Sequence, residues 1–343
     1  MTIGQLFTVI ETSIETILDG VGPYLAAVND PPWSTVSERV RPAERVMIAD
    51  NMEQSHLDHL VDQLDRADHD TIDMVVGIGG GTALDTAKYL AWRTGRSLVQ
   101  IPTITSVDAG FTDAVGIRVD GRVRYVGTIV PETVALDLPL IRSAPARLNR
   151  AGIGDILSCH TGLFDWRLAV DAGQGVPWRN DLAELGAALL SELDEALPEV
   201  HAVSDDGVRF LADAYRRIGA ACAEAGHSRF EEGSEHFWAY NYEHQTGAHQ
   251  VHGELIGFAV VALSVIQDNN PNWAFDVVER SGARCHPDDL GISRQQFDDA
   301  LLGLADYARA EELDYSIADI ADLDLAAADA SWKLVEQLPR SDQ

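Results

Sequence analysis

One stretch constrains this chain more than any other. Between Met74 and Lys88 an apolar run meets three consecutive glycines and then a helical pattern. Residues 74–78 read as a buried strand and Gly79-Gly80-Gly81 as a tight turn. Ala83, Ala87, Leu90 and Ala91 then read as one face of a helix. Glycines lack Cβ atoms, so an anion can come close to the backbone. The first N–H groups of a helix have no partners, and the helix dipole favours negative charge there. Strand, glycine turn and helix therefore suit a phosphate. The alternative is a tight connection that binds nothing.

The surrounding chain repeats the alternation. Residues 45–49 read as a strand ending at Asp50, and Leu57, Leu60, Val61 and Leu64 line one face of the next helix. Strand, helix, strand, helix over residues 45–94 is the pattern of a parallel α/β sheet. Leu98 to Ile101 form a further strand stopped by Pro102, followed by a small polar loop from Thr103 to Thr112. Such loops lie at the carboxyl ends of strands, where open α/β sheets bind ligands. Residues 115–126 alternate around Asp120-Gly121, a hairpin signal, and residues 133–136 read as the last strand. Gly20 to Leu25 read as a glycine turn into a short helix, and residues 29–42, with three prolines, as loop. Beyond Ala144-Pro145 only helical spacing is found, as in Leu182, Leu185, Leu189, Leu190 and Leu193. Further helices are expected around residues 208–218, 297–305 and 321–338. The expectation is a dinucleotide-binding α/β domain over residues 1–145 and a helical metal- and substrate-binding domain over residues 146–343.

With 25 Lys+Arg against 55 Asp+Glu, the net charge is −30, and the only lysines are Lys88 and Lys333. Such a surface argues against nucleic-acid binding, which relies on cationic contacts to phosphate, and an anionic membrane would repel it. The acidity fits either a protein adapted to salty cytoplasm, where screening removes self-repulsion, or an ordinary acidic protein. Cys159, Cys222 and Cys285 are too scattered for a disulfide framework or a CxxC metal site. No apolar span of membrane length and no signal peptide stand out. A soluble, cytoplasmic protein with a small-molecule substrate is expected.

Three positions in the helical half could carry chemistry. Asp155 lies in an apolar, glycine-rich segment where an ionised carboxylate is costly unless paired or metal-bound. His236 follows Ser234-Glu235, and His252 precedes Gly253-Glu254 and a long apolar stretch. One carboxylate and two imidazoles suit Zn²⁺ or Fe²⁺ with positions left open for a substrate oxygen. A helix cap and two core imidazoles would explain the same residues. Asp50, at the end of its strand, suits either the adenosine ribose hydroxyls, which would favour NAD over NADP, or a helix cap.

Taken in order, several short pieces carry a family resemblance. They are Asp50, Gly79-Gly80-Gly81 with Asp85 and Lys88, Ile101-Pro102-Thr103 with Asp108-Ala109, Ala151-Gly152-Ile153-Gly154-Asp155, Ser234-Glu235-His236 and His252-Gly253-Glu254. With these the chain resembles the iron-containing alcohol dehydrogenase superfamily, which includes glycerol dehydrogenase, glycerol-1-phosphate dehydrogenase and dehydroquinate synthase. The segment from Gly154 to Ala169 and Ser234-Glu235-His236 are most similar to the glycerol-1-phosphate dehydrogenase branch. The resemblance implies a dehydroquinate synthase-like fold, a Rossmann-like parallel-sheet domain followed by an all-α domain, in a homo-oligomer. It implies NAD(H) or NADP(H), with pyrophosphate on Gly79, Gly80 and Gly81 and with Asp85 in the cofactor site. The nicotinamide side maps near Thr103, Thr105 and Asp108, and Asp108 also maps to a substrate hydroxyl. It implies a divalent cation on Asp155, His236 and His252, with Zn²⁺ the first expectation and Fe²⁺ and Ni²⁺ the alternatives.

The chain departs from its relatives at Tyr240, where a second histidine often follows the first metal histidine by one helical turn. Its Ser106-Val107-Asp108-Ala109 is closer to glycerol dehydrogenase than to the phosphate enzymes. If residues 249–252 were helical, His249 would share a face with His252 and either relay a proton or pack. Dihydroxyacetone phosphate and sn-glycerol-1-phosphate are the first substrate expectation, with Arg147, Arg150 or Arg167 to hold the phosphate. Glycerol or another polyol is the second. A dehydroquinate synthase-type cyclase lacks support, because its Gly-His-x-x-Gly-His pattern and lysines are missing. A non-catalytic nucleotide-binding protein is the remaining reading.

Overall fold

The structure, a computed structural model, describes Leu6, residues 8–65 and residues 72–341. Two compact units divide the chain: Met1–Asn149 with Tyr215–Gly226, and Arg150–Ala214 with His227–Gln343.

The strands of the first unit are β1 (Val9–Glu11), β2 (Tyr24–Val28), β3 (Arg45–Ile48), β4 (Met74–Gly79), β5 (Ser97–Pro102), β6 (Ala114–Val119), β7 (Arg122–Thr128) and β8 (Thr133–Leu136). Six form one parallel sheet in the order β1-β8-β5-β4-β2-β3, and β6 pairs antiparallel with β7. Its helices are α1 (Ile14–Gly20), α2 (Pro32–Val36), α3 (Gln54–Asp65), α4 (Gly81–Thr94), α5 (Leu138–Ser143) and α6 (Ala146–Arg150), the last ending at the unit boundary. The sheet has a core on each face. Leu25, Ala27 and Val75 pack with Leu57, Leu60, Leu90 and Leu98. Tyr24, Ala26, Val28, Val76 and Ile78 pack with Ile14, Leu18 and Ile101.

The expected turn into a helix at residues 20–25 is corrected by β2. This strand lies between β3 and β4, pairing Leu25 with both Arg45 and Val75. All five of its residues are buried. A strand covered on both faces reads as an unbroken apolar run, without the alternation that separates strand from helix. Residues 29–42 also contain α2, which has a proline at its start.

The second unit holds α7 (Gly154–Leu157), α8 (Cys159–Asp171), α9 (Asn180–Ala202), α10 (Asp205–Ala225), α11 (Ser234–Thr246), α12 (His252–Ile266), α13 (Pro271–Ser281), α14 (Pro287–Leu290), α15 (Arg294–Leu302), α16 (Leu304–Ala310) and α17 (Leu325–Val335). The later turns of α10, from Tyr215 onward, belong to the first unit. The single helix expected at residues 297–305 is two, α15 and α16, separated at Gly303. The last helix is shorter than expected, since Asp324 caps its start through the Ala326 and Ala327 N–H groups. No strand occurs among the described residues of this unit. Its centre is α12, apolar all round and packed by α7, α8, α11, α13 and α17. Among the described residues no helix is long and apolar enough to cross a membrane.

Candidate active site

In the first unit β4 delivers the chain into the glycine turn, and α4 starts at Gly81. Gly79 has φ +155°, a conformation open to glycine, and a Cβ there would stand 2.5 Å from Asn29 Oδ1 and 2.7 Å from Ala83 Cβ. Asn29 Oδ1 accepts the Gly80 N–H (3.1 Å), while its Nδ2 donates to Ala49 O (2.7 Å). This one amide ties together the segments that leave β2, β3 and β4. No side chain caps α4 at Gly80, so the helix start is open to an anionic partner.

The other first-unit candidates have distinct surroundings. The Thr103 N–H donates to Gly79 O (2.9 Å), and its buried Oγ1 has no hydrogen-bond partner among the described residues. The Thr105 hydroxyl and N–H both bond Asn149 Oδ1, at 3.1 and 3.0 Å, and Tyr215 donates to Thr105 O (3.0 Å). Thr105 is thus clamped in the scaffold. Asp108 precedes the 3-10 turn Ala109–Phe111 and accepts the Phe111 N–H through its main-chain oxygen. Asp50 follows β3, its side chain 70% exposed. On that turn Asn51 Oδ1 accepts the Glu53 N–H (2.8 Å). Asp85 pairs with Lys88 (2.8 Å), whose buried ammonium also reaches Thr112 Oγ1 and Ala114 O. That strap holds β6 on α4.

In the second unit Asp155, His236 and His252 come together, with one ligand atom of each within 4.8 Å of the others. Asp155 sits in the first turn of α7, His236 in that of α11, and His252 opens α12. His252 Nε2 lies 3.2 Å from Asp155 Oδ1, and the two imidazole centroids are 5.4 Å apart. The approach of α7 to α12 depends on paired glycines. A Cβ on Gly154 would meet Gly253 O at 2.5 Å and Gly253 Cα at 2.6 Å. The residue after Gly154 and the residue before Gly253 are two of the three candidate ligands. Asp155 and His236 are buried, whereas the His252 side chain keeps 37% of its surface open, so the cluster can be reached.

The field at the cluster is negative. Burial opposes a charged His236, yet the Glu235 hydrogen bond and the charges of Glu232, Glu235 and Glu231 carry its pKa up to about 10. Burial likewise opposes a charged His252, while Asp155 by charge and hydrogen bond, with Glu243, more than offsets burial and the repulsion from His236. Acidic neighbours raise the pKa of both imidazoles, so the cluster stabilises positive charge. A divalent cation would compete with protons for these nitrogens.

The remaining candidates divide. The Tyr240 hydroxyl donates to Glu232 Oε1 (2.7 Å), and its ring lies 6.0 Å from the His236 ring. The premise of a helix through residues 249–252 is corrected. His249 is exposed in the non-helical segment before α12, because the helix begins at His252. Arg147 is exposed, Arg150 donates to His201 O (2.8 Å), and Arg167 stacks 4.4 Å over Trp178. All three cysteines are free, with Cys159 and Cys285 buried. Sequence reasoning passed over Asn29 and gave Glu235 no role. For Glu235 the available signal was a carboxylate directly before a candidate ligand. Asn29 gave none, because its partners are 51 and 20 residues away.

A family model described as iron-containing alcohol dehydrogenase matches residues 31–145. The chain is 32% identical over 267 residues to a glycerol-1-phosphate dehydrogenase (NAD(P)+) of Thermofilum pendens, covering 77% of this chain and 74% of the relative. It is 29% identical over 267 residues to the enzyme of the same description from Hyperthermus butylicus, covering 78% and 73%. Among solved structures, a probable glycerol dehydrogenase from Sinorhizobium meliloti superposes with a TM-score of 0.71 at 19% identity, covering 96% of each chain. The glycerol dehydrogenase of Schizosaccharomyces pombe gives 0.70 at 19%, covering 98% of this chain and 95% of that one. These superpositions carry the fold.

Proposed function

The chain belongs to the iron-containing alcohol dehydrogenase family, and from that premise we propose that it interconverts dihydroxyacetone phosphate and sn-glycerol-1-phosphate with NAD(P)H and a divalent cation. The observation that carries this reading is the convergence of Asp155, His236 and His252 within 4.8 Å. A carboxylate and two imidazoles in a negative field fit Zn²⁺, with Fe²⁺ and Ni²⁺ as alternatives. When bound, such a cation polarises a substrate oxygen as a Lewis acid, and the nicotinamide supplies the hydride.

The chain's own part is positional. Asp155 supplies the one anionic donor of the triad, and His252 the donor open to solvent. The Tyr240 hydroxyl, already given to Glu232, can accept a hydrogen bond from a substrate hydroxyl. The Gly79–Gly81 turn takes the dinucleotide pyrophosphate at the start of α4. The substitution Gly79→Ala imposes roughly 1–3 kcal/mol of backbone strain, besides its clash with Asn29. At about 1.4 kcal/mol per factor of ten, the KM for NADH is expected to rise roughly tenfold or more. Steady-state kinetics check this, and an unchanged KM would remove the turn from the cofactor site.

A second reading has its own support. The charges that act most strongly on the two imidazoles, apart from each other, belong to Glu231, Glu232, Glu235, Asp155 and Glu243. Arg150 and Arg167 are engaged elsewhere. A phosphate dianion needs fixed cations, so this neighbourhood favours an uncharged polyol. NADH oxidation with dihydroxyacetone phosphate and with dihydroxyacetone separates the two. The first reading expects the higher kcat/KM on the phosphate, and the reverse order installs the second.

A further inference from the structure

We propose that Glu235 is a positioning residue for the cation: its carboxylate holds the His236 ring by Nδ1 and leaves Nε2 as the ligand atom, while Asp165 anchors the helix start that carries both residues. This inference rests on the reading that Asp155, His236 and His252 hold a divalent cation.

The geometry begins at Gly233, the N-cap of α11, which has no side chain with which to cap it. Asp165, from α8, takes that place. Its Oδ2 accepts the Ser234 N–H (2.7 Å) and its Oδ1 accepts the Ile317 N–H (2.7 Å). The first turn of α11 is thereby fastened to α8 and to the 3-10 turn Ile317–Asp319. Within that turn Glu235 Oε1 accepts the Gly233 N–H (2.7 Å) and the His236 Nδ1–H (2.8 Å). A carboxylate gripped by a backbone N–H has one direction in which to present its charge, and the imidazole lies in that direction. A carboxylate on the far nitrogen of a ligand histidine fixes tautomer and ring orientation and raises ligand basicity.

A purely structural role explains less. Glu235 and Asp165 are both fully buried, and their charges act against each other. Glu235 Oε2 has no hydrogen-bond partner among the described residues. Isolated buried carboxylates weaken a fold when apolar side chains could fill the same space. The charge beside His236 has a use once a cation lies on the ring's other nitrogen.

The test measures Zn²⁺ affinity by competition with a chromophoric chelator, and the ligand-field spectrum of the Co²⁺-loaded protein. Wild type, Glu235→Gln and His236→Ala are compared, with far-ultraviolet circular dichroism of each metal-free chain as the folding control. A glutamine keeps an oxygen that can accept both N–H groups, but it lacks the negative charge that raises the basicity of the ligand ring. Glu235→Gln is expected to lower Zn²⁺ affinity by about 10–100-fold and to shift the Co²⁺ spectrum, while His236→Ala lowers affinity further. Wild-type affinity and spectrum in Glu235→Gln, with loss in His236→Ala, would overturn this inference alone. Wild-type affinity in His236→Ala would overturn the cation reading beneath it. Should a variant fail to fold, long-range proton–nitrogen spectra of the Zn²⁺-loaded wild type decide. A proton on His236 Nδ1 with the metal on Nε2 is expected, and the metal on Nδ1 would reject the proposal.

Discussion

Asp155→Ala is expected to yield a folded chain that retains no stoichiometric divalent cation and whose turnover falls by roughly 10³-fold. The carboxylate is the one anionic member of a cluster that otherwise offers two imidazoles. Its removal also takes from His252 the charge and hydrogen bond that do most to hold its pKa up. Lewis-acid polarisation lowers a barrier by several kcal/mol, and each ~1.4 kcal/mol is a factor of ten in rate. The fold should survive, because Asp155 Oδ1 faces His252, whose side chain is partly open to solvent. Metal analysis after dialysis from Zn²⁺, with NADH oxidation on both ketones, checks this. A variant that keeps its metal and its rate would show that the ligand assignment is wrong.

Gly154→Ala is expected to be nearly as damaging, although the glycine offers no donor atom. The new methyl would lie 2.5 Å from Gly253 O, 2.6 Å from Gly253 Cα and 2.9 Å from Gly253 C. Those are backbone atoms and cannot swing aside, so α7 and α12 must separate. Overpacking of this kind costs about 1–3 kcal/mol of stability. The displacement falls on Asp155 and His252, whose bonds to a metal tolerate shifts of only about 0.2 Å. Zn²⁺ affinity should drop by roughly 100-fold or more, in line with about 1.4 kcal/mol per tenfold, together with the melting temperature. Gly20→Ala is the control, since a Cβ there meets nothing within 4 Å. Equal Zn²⁺ affinity in Gly154→Ala and Gly20→Ala would show that the close helix contact does not shape the cluster.

Pattern in the chain sufficed where structure depends on neighbours a few residues away. β4, the glycine turn and α4 follow from an apolar run, three missing side chains and helical spacing. The hairpin β6–β7 follows from Asp120-Gly121, both with positive φ. Helix α1 of the first unit is only seven residues long, and a pattern that short carries little signal. β2 was misread because burial on both faces erases alternation. The split at Gly303 was missed because apolar spacing continues from α15 into α16 while the backbone changes course.

The candidate site shows the same division. Residue types singled out Asp155, His236 and His252 but fitted a helix cap and core imidazoles as well as a cation, and the family resemblance was what pointed to the cation. Their approach to within 4.8 Å was decided by packing. Gly154 and Gly253 let two backbones touch, and Asp165 caps a helix 69 residues farther along the chain. Local chemistry by itself therefore determined β4, the glycine turn, α4, the β6–β7 hairpin and the candidate donor groups. Only the tertiary structure decided which of them meet and which way they face. Contacts between distant segments depend on how whole helices and strands fill space, and no short window of sequence holds that information.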